Sequence, residues 1–186
     1  MMHVASEISQ SFDYDFDDPL GLLADCHRRV EYFLDQLVRI TRLTSGRSLN
    51  PEEWSQLHRA LHYFETYEPW HTADEEESLF PRLHDSQGPE AARVGQLLTQ
   101  LERVREMMQI HRRMISVFCR RWLDHGFLSE IDTRSLLDRL TDLESIYREH
   151  ITIEDHELFP AAARLLSTGQ LEEIGREMAA RRSVSG

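Results

Sequence analysis

Apolar side chains recur at steps of three and four residues along four long stretches of this sequence, and this spacing predicts amphipathic helices. The first two stretches open at Asp18-Pro19 and Asn50-Pro51, which combine a capping side chain with a proline in the first helical turn. The third stretch closes at Gly126. The two-residue alternation that is typical of a strand is not sustained anywhere. The sequence therefore predicts an all-α fold.

Chain length limits the number of domains. With 186 residues, the chain is long enough for one four-helix core but short for two independent ones. We expect a flexible acidic tail over residues 1–17 and the helical bundle over residues 18–169. A short C-terminal helix and tail are expected over residues 170–186.

The charge balance argues against several classes of partner. There are 21 Lys and Arg residues against 33 Asp and Glu residues, so the chain carries a formal net charge of −12 and repels phosphate backbones and anionic lipid surfaces. We therefore expect neither nucleic acid nor membrane as a partner. The two cysteines, Cys26 and Cys119, cannot build a disulfide framework, and reduced thiols in a cytoplasm are the expectation. The sequence does not indicate an oligomeric state.

Each apolar stripe contains one histidine, and two of these histidines are followed four residues later by a glutamate. Four residues are about 400° of helical rotation, so such a pair projects from one face, one turn apart. Both pairs run into Leu-Phe-Pro, so the unit H-x-x-x-E with a trailing L-F-P occurs once in each half of the chain. The inward residues are His27, His71 with Glu75, His111, and His150 with Glu154.

Metal binding explains this set better than packing does. A single histidine in an apolar stripe is usually a hydrogen-bonded core residue, but four such positions with two glutamates are hard to explain in that way. A buried ionised carboxylate costs several kcal/mol unless it is paired or metal-bound, against a net stability of about 5–15 kcal/mol. Imidazole with carboxylate suits Fe, Mn or Zn, and helical bundles build di-iron sites in their cores.

Two further glutamates are candidate ligands. Glu31 follows His27 by four residues, and Glu68 precedes His71 by three. Glutamates beside an apolar stripe are nevertheless more often exposed to solvent than bound to a metal. Pro69 lies between Glu68 and His71, and because proline removes one helical hydrogen bond and clashes with the preceding turn, we expect a kink there.

From His27 to Pro160 the chain resembles the hemerythrin-like, or HHE cation-binding, domain family. The resemblance rests on the doubled H-x-x-x-E with its trailing L-F-P and on the lone histidines of the first and third stretches. It implies an up-down-up-down four-helix bundle that holds two non-haem irons joined by an oxo or hydroxo bridge. It also implies that the two glutamates bridge the irons and that the four histidines are terminal ligands. These residues are Glu75, Glu154, His27, His71, His111 and His150.

The chain departs from the oxygen carriers of this family at two places. Those proteins have two histidines four residues apart on the third helix, whereas Met107 and Ile115 lie four residues on either side of His111. They also end with His and Asp five residues apart, where this chain has His150 and Glu154 four apart. The pattern is similar to the branch associated with iron sensing, nitric-oxide or peroxide handling, and iron–sulfur repair. The cysteine-bearing N-terminal region of the repair proteins is not seen in this sequence.

Three classes of function remain open. The favoured one is a di-iron binding protein that binds or reacts with O2, peroxide or nitric oxide as a sensor or scavenger, rather than an enzyme. The second is a di-iron redox enzyme, or an iron donor of the iron–sulfur repair type, with reversible O2 storage as a further alternative. The third is a structural bundle whose metal site is vestigial.

Overall fold

The computed structural model describes residues 15–183, and five helices make up most of this part of the chain. The helix α1 is Pro19–Leu43, α2 covers residues 51–84, α3 is Ala91–His125, α4 covers residues 130–165 and α5 is Thr168–Ser183. Most of the predicted tail over residues 1–17, and residues 184–186, lie outside the described part.

Two of the long helices contain π-helical turns. The helix α2 consists of the α-helical segments Pro51–His62, Glu68–Ala73 and Phe80–His84, separated by the π-helical turns Tyr63–Tyr67 and Asp74–Leu79. The helix α4 consists of Glu130–Ile153, the π-helical turn Glu154–Leu158 and Phe159–Leu165. Residues 15–183 contain no strand beyond an isolated bridge, and the all-α prediction is confirmed.

The four long helices form a closed bundle with alternating directions. Helices α1 and α3 each pack against both α2 and α4. The α1–α2 and α3–α4 connections meet at one end, where Ser48 and Phe127 form the bridge and the Leu49 N–H donates to the Gly126 carbonyl at 2.9 Å. Short connections between successive helices require antiparallel neighbours, so the up-down-up-down prediction is confirmed. Within the described range, no helix is long and apolar enough to cross a membrane.

The helix ends lie where local side chains satisfy the backbone. The Asp18 carboxylate accepts from the Gly21 N–H at 3.0 Å, and Asn50 and Glu53 form a reciprocal capping box. The helix α3 ends at Gly126, whose φ of 67° is in the left-handed region that favours glycine. These caps set the helix lengths and therefore determine which residues of different helices lie at the same level of the bundle.

Each π-helical turn ends two residues before a proline. Proline has no N–H, so the carbonyl four residues before it loses its usual partner. The residue just before each proline instead donates its N–H to the carbonyl five residues earlier, which widens the turn. These bonds join Glu68 to Tyr63, Phe80 to Glu75 and Phe159 to Glu154, just before Pro69, Pro81 and Pro160. The trailing Phe-Pro of the sequence repeat is therefore the signal for a π-helical turn at the glutamate of each copy.

The core of the bundle consists of two hydrophobic clusters. One lies towards the α1–α2 connection and contains the fully buried Trp122. The other lies at the opposite end and includes Ile174 and Met178 of α5. The residues of α1, α2, α3 and α4 that lie between the two clusters are largely polar and buried. We call this region the polar layer; it is made of His27, His71, Glu75, Arg105, His150 and Glu154.

A buried ion pair holds α5 against the second π-helical turn. Asp74 is fully buried, and its two carboxylate oxygens accept from Arg181 at 2.8 Å and from Arg182 at 2.7 Å. Removing one partner of a buried pair is costly because the other charge is left uncompensated. Asp74 therefore fixes the C-terminal helix to the part of α2 that enters the polar layer.

Asp74→Asn should destabilise the protein by about 2–4 kcal/mol, because Arg181 and Arg182 both lose their ion pair with the fully buried Asp74 carboxylate. Thermal and urea unfolding measure this loss. Glu172→Gln, which changes an exposed carboxylate on α5, is the matched control and should change the free energy of unfolding by less than about 0.5 kcal/mol. If the two variants unfold alike, Asp74 does not hold α5 in place.

Candidate metal centre

The polar layer contains a compact group of four metal-ligating side chains. His27 of α1, His71 and Glu75 of α2, and Glu154 of α4 are all buried, and each offers one ligand atom within 4.8 Å of the others. Imidazole nitrogens and carboxylate oxygens this close together can ligate a common ion. The two glutamates of the sequence repeat thus meet at one point, although they come from different helices.

His150, the other histidine of the repeat, faces the same group. Its Nε2 lies 3.0 Å from Oε2 of Glu154, and Nε2 of His27 lies 3.0 Å from that same oxygen. Nε2 of His71 lies 3.4 Å from Oε1 of Glu75. Two imidazoles therefore face one oxygen of Glu154, and the third faces one oxygen of Glu75.

Several of these buried atoms make no hydrogen bond within the described part of the chain. They are His27 Nε2, Glu75 Oε1 and both carboxylate oxygens of Glu154. Most buried polar atoms in proteins are hydrogen-bonded, and buried carboxylates are normally paired or bound to a metal. Buried nitrogen and oxygen atoms that converge in this way are what a cation can satisfy once the histidines are deprotonated. The three imidazoles and two carboxylates therefore fit iron, manganese or zinc.

The pKa values of these buried groups show how strongly they interact. Burial disfavours the charged form of His27, but Asp155 and Glu154 outweigh burial and raise the pKa of His27 to about 10. Burial and the nearby Glu154 raise the pKa of Glu75 well above its ordinary range. Burial also acts to raise the pKa of Glu154, yet His150 and His27 hold it below its ordinary value. A cation that enters this site therefore displaces protons.

Asp155 orients His27, and the sequence patterns did not single it out. Nδ1 of His27 lies 2.7 Å from a carboxylate oxygen of Asp155, so the ring donates through Nδ1 and presents Nε2 to the group. The available signal was that Asp155 follows His150 by five residues, the spacing of the last two ligands in the oxygen carriers. The π-helical turn that begins at Glu154 buries Glu154 in the polar layer and leaves Asp155 partly exposed.

Arg105 of α3 is the second residue that the sequence patterns missed. It is buried, forms an ion pair with Glu75, and lies 3.6 Å from Oε1 of Glu154. Arg105 comes four residues after Leu101 and three before Met108. It therefore follows the spacing of the apolar stripe, and this spacing could have revealed a charge directed into the core.

The structure does not bring the other three candidate ligands into the group. His111 is half-buried on α3, and its Nδ1 is a buried atom without a hydrogen-bond partner in the described residues. Glu31 is exposed on the surface of α1. Glu68 is buried, forms an ion pair with Arg112, and accepts from the Tyr147 hydroxyl at 3.0 Å. The ligand roles of these three residues stay predictions from the sequence.

Two cavities adjoin the polar layer. The inner one has a volume of about 20 Å³ and is lined in part by Glu75 and the three histidines. The outer one is an open cleft of about 700 Å³ between α2 and α3. Glu68, Thr72, Gln109 and Arg112 line both cavities. The Glu68–Arg112 ion pair therefore stands between the metal-ligating group and the open cleft.

The two cysteines are poor candidates for metal ligands. Burial raises the pKa of Cys26 to about 11 and that of Cys119 to about 12. Both side chains therefore stay protonated thiols at neutral pH, whereas the thiolate is the form that binds metals.

Comparison with known proteins agrees with a cation site built from the imidazoles and carboxylates of the polar layer. A model of the hemerythrin HHE cation binding domain matches residues 18–162. The chain belongs to the hemerythrin HHE family. An uncharacterized protein of Haemophilus influenzae (strain ATCC 51907 / DSM 11121 / KW20 / Rd) is similar, with 27% identity over 169 residues that cover 91% of this chain and 92% of the relative. The HHE match spans all the histidines and glutamates of the polar layer, and cation binding is the property that the family description states.

The pKa of His27 gives the metal-free HHE protein a pH-dependent stability. Between the ordinary value of 6.5 and the folded value of about 10, only the folded protein holds the His27 proton. Its stabilising effect is complete below pH 6.5 and is lost as the pH rises through that window. Melting temperatures of the metal-free protein should therefore fall from pH 6.5 to about pH 8.5, with a loss of up to about 2 kcal/mol. His27→Gln should flatten this dependence, and a wild-type melting temperature that rises over the same range would contradict it.

Proposed function

We propose that this HHE protein binds iron in the polar layer and reacts there with O2 or a related small molecule, such as peroxide or nitric oxide, as a sensor or scavenger. The observation that carries the proposal is the convergence of buried nitrogen and oxygen atoms without hydrogen bonds in a chain of a cation-binding family. The family resemblance implies two irons, and that number stays a prediction. A cytoplasmic location is part of the same proposal.

The side chains of the polar layer have distinct tasks in this proposal. His27, His71, His150, Glu75 and Glu154 are the residues that would hold the metal. Iron, when bound, supplies the electrons that a small oxidant takes up. The hydrogen bond of 2.7 Å to Asp155 keeps Nε2 of His27 directed at the site. The two hydrophobic clusters shield the ligands from solvent along the bundle axis.

The size of the inner cavity favours a small reactant. Its volume of about 20 Å³ is close to the space that one water molecule needs. An organic substrate is far too large for this space, which a bound metal would share with any small molecule such as a diatomic or peroxide. The wide outer cleft gives such a molecule a path to the ion pair of Glu68 and Arg112, which borders the inner cavity.

A redox enzyme is the alternative that differs least from this proposal. The same ligands would serve it, and so would an iron donor of the iron–sulfur repair type. Catalytic turnover of peroxide or nitric oxide with an added electron donor would identify an enzyme. A single reaction for each reduction of the metal is the behaviour of a sensor or scavenger.

Replacing a proposed ligand should remove the metal. Glu75→Ala or His71→Ala should lower the iron affinity at least about tenfold, because each variant deletes a direct ligand at a buried site. Metal analysis of protein purified from iron-replete cells, with the optical spectrum, measures this. His58→Ala changes an exposed histidine on α2 and is the matched control.

Two outcomes of this experiment would contradict the proposal. One is wild-type protein that carries zinc alone. The other is Glu75→Ala protein that keeps the wild-type iron content. Equal melting temperatures of the iron-loaded and metal-free protein would instead support a structural bundle with a vestigial site, since a ligand that binds only the folded state must raise its stability.

Exposure of the reduced, iron-loaded protein to air should oxidise it within minutes and irreversibly. Reversible oxygen binding requires a dry and fixed set of ligands, whereas a charged pair and a solvent-open cleft adjoin this site. The test is anaerobic reduction, addition of O2 and then its removal under argon, followed by optical spectra. Glu75→Ala protein is the control and should show no metal-dependent change. Return of the reduced spectrum over repeated cycles would favour O2 storage.

A further inference from the structure

The two glutamates of the polar layer each direct their two oxygens to different partners. Oε2 of Glu154 faces His27 and His150, and Oε1 of Glu75 faces His71. The other oxygen of each carboxylate faces Arg105. Oε2 of Glu75 pairs directly with the guanidinium, and Oε1 of Glu154 lies 3.6 Å from it. The carboxylates thus have a histidine side and an arginine side.

A carboxylate that bridges two metal ions gives one oxygen to each ion. On the histidine side, three imidazoles accompany the two oxygens and complete a set of five donors. On the arginine side, the residues of α3 that line the inner cavity are Arg105, Met108, Gln109 and Arg112. None of these is an imidazole or a carboxylate, which are the ligands that iron takes in bundle cores. The other carboxylate that lines the inner cavity, Glu68 of α2, is already paired with Arg112 and accepts from the Tyr147 hydroxyl at 3.0 Å. Among the residues that line the cavity, the arginine side therefore offers no unpaired ligand for a second ion and already contains a cation.

Charge favours the same conclusion. With both carboxylates ionised and the imidazoles neutral, as metal ligation requires, Glu75, Glu154 and Arg105 sum to one negative charge. One divalent ion changes this sum to one positive charge. Two divalent ions would change it to three positive charges; a hydroxo bridge between them would still leave two, and only an oxo bridge would bring the sum back to one. Uncompensated buried charge is costly. Arg105 is itself largely buried, and its remaining partner Glu76 lies at 3.2 Å and is exposed.

We infer that this centre holds a single metal ion on the histidine side and that Arg105 occupies the place of a second cation. The ion would be bound by His27, His71, His150, Oε1 of Glu75 and Oε2 of Glu154. This inference rests on the proposed function only in that the chain binds metal. It departs from the two irons that the family resemblance implies. It also gives Arg105 a positioning role, since its guanidinium fixes both carboxylates whether or not metal is present.

The number of ions is tested on the full-length protein, loaded anaerobically with excess ferrous iron and desalted. We expect about one iron per chain and, after oxidation, the electron paramagnetic resonance signal of an isolated ferric ion. Two irons per chain, with the signal lost through coupling between two ferric ions, would overturn the inference while leaving iron binding intact. Protein that retains no metal would overturn the proposed function itself, so the two failures are distinguishable.

Variants of Arg105 test its positioning role without reference to any reaction. In Arg105→Met the two carboxylates lose their cation, so the melting temperature of the metal-free protein should fall by about 5–10 °C. Arg103→Met, at an exposed position of α3, is the matched control and should melt like the wild type. An unchanged melting temperature for Arg105→Met would show that Arg105 does not hold the carboxylates.

Two further substitutions keep the inference falsifiable if Arg105→Met does not fold. Arg105→Lys retains the cation and should keep about one iron per chain. Arg105→His removes the permanent cation and adds an imidazole on the arginine side, so its iron content should rise above one per chain. An iron content of two for Arg105→Lys, or of one for Arg105→His, would contradict the assignment of Arg105 to the place of a second cation.

Discussion

The burial of two carboxylates at one point in the bundle is the constraint on which the rest of the structure depends. Glu75 and Glu154 are almost fully inaccessible to solvent and lie in the same layer, where like charges repel and neither is hydrated. The surrounding side chains offset this repulsion. Three imidazoles face the two carboxylates on one side, and the guanidinium of Arg105 faces them on the other. Outside this group, Asp155 holds His27 in place, and Asp74 separately holds the C-terminal helix.

The backbone contributes to this arrangement as much as the side chains do. In a regular α-helix, Pro81 and Pro160 would leave a carbonyl without a partner. The π-helical turns resolve this with bonds from Phe80 to Glu75 and from Phe159 to Glu154. The Phe-Pro that closes each copy of the repeat therefore fixes the backbone conformation at the buried glutamate of that copy. This links the sequence motif to the site without any contribution from the metal.

Much of the fold and part of the site could be predicted from the sequence. Helical periodicity and capping residues predicted the bundle, and the four-residue spacing placed each histidine and glutamate of the repeat on one face. Periodicity specifies a face of a helix but not a level along its axis, and this limits what could be said about α3. His111 and Arg105 are six residues apart, about 9 Å of helical rise, and the structure places Arg105 rather than His111 beside the glutamates. The level depends on where α3 begins relative to α2 and α4, and on the extra residue that each π-helical turn inserts, neither of which the stripe pattern encodes.

The division of the core into two hydrophobic clusters has a consequence for cooperativity. The four long helices run through both clusters, but apolar side-chain packing is interrupted where the polar layer crosses the bundle. The two ends are therefore coupled through helix continuity and through the ionic contacts of the layer, and less through shared apolar packing. Any change that weakens those contacts brings the protein closer to unfolding as two units, in which one end opens while the other keeps its structure.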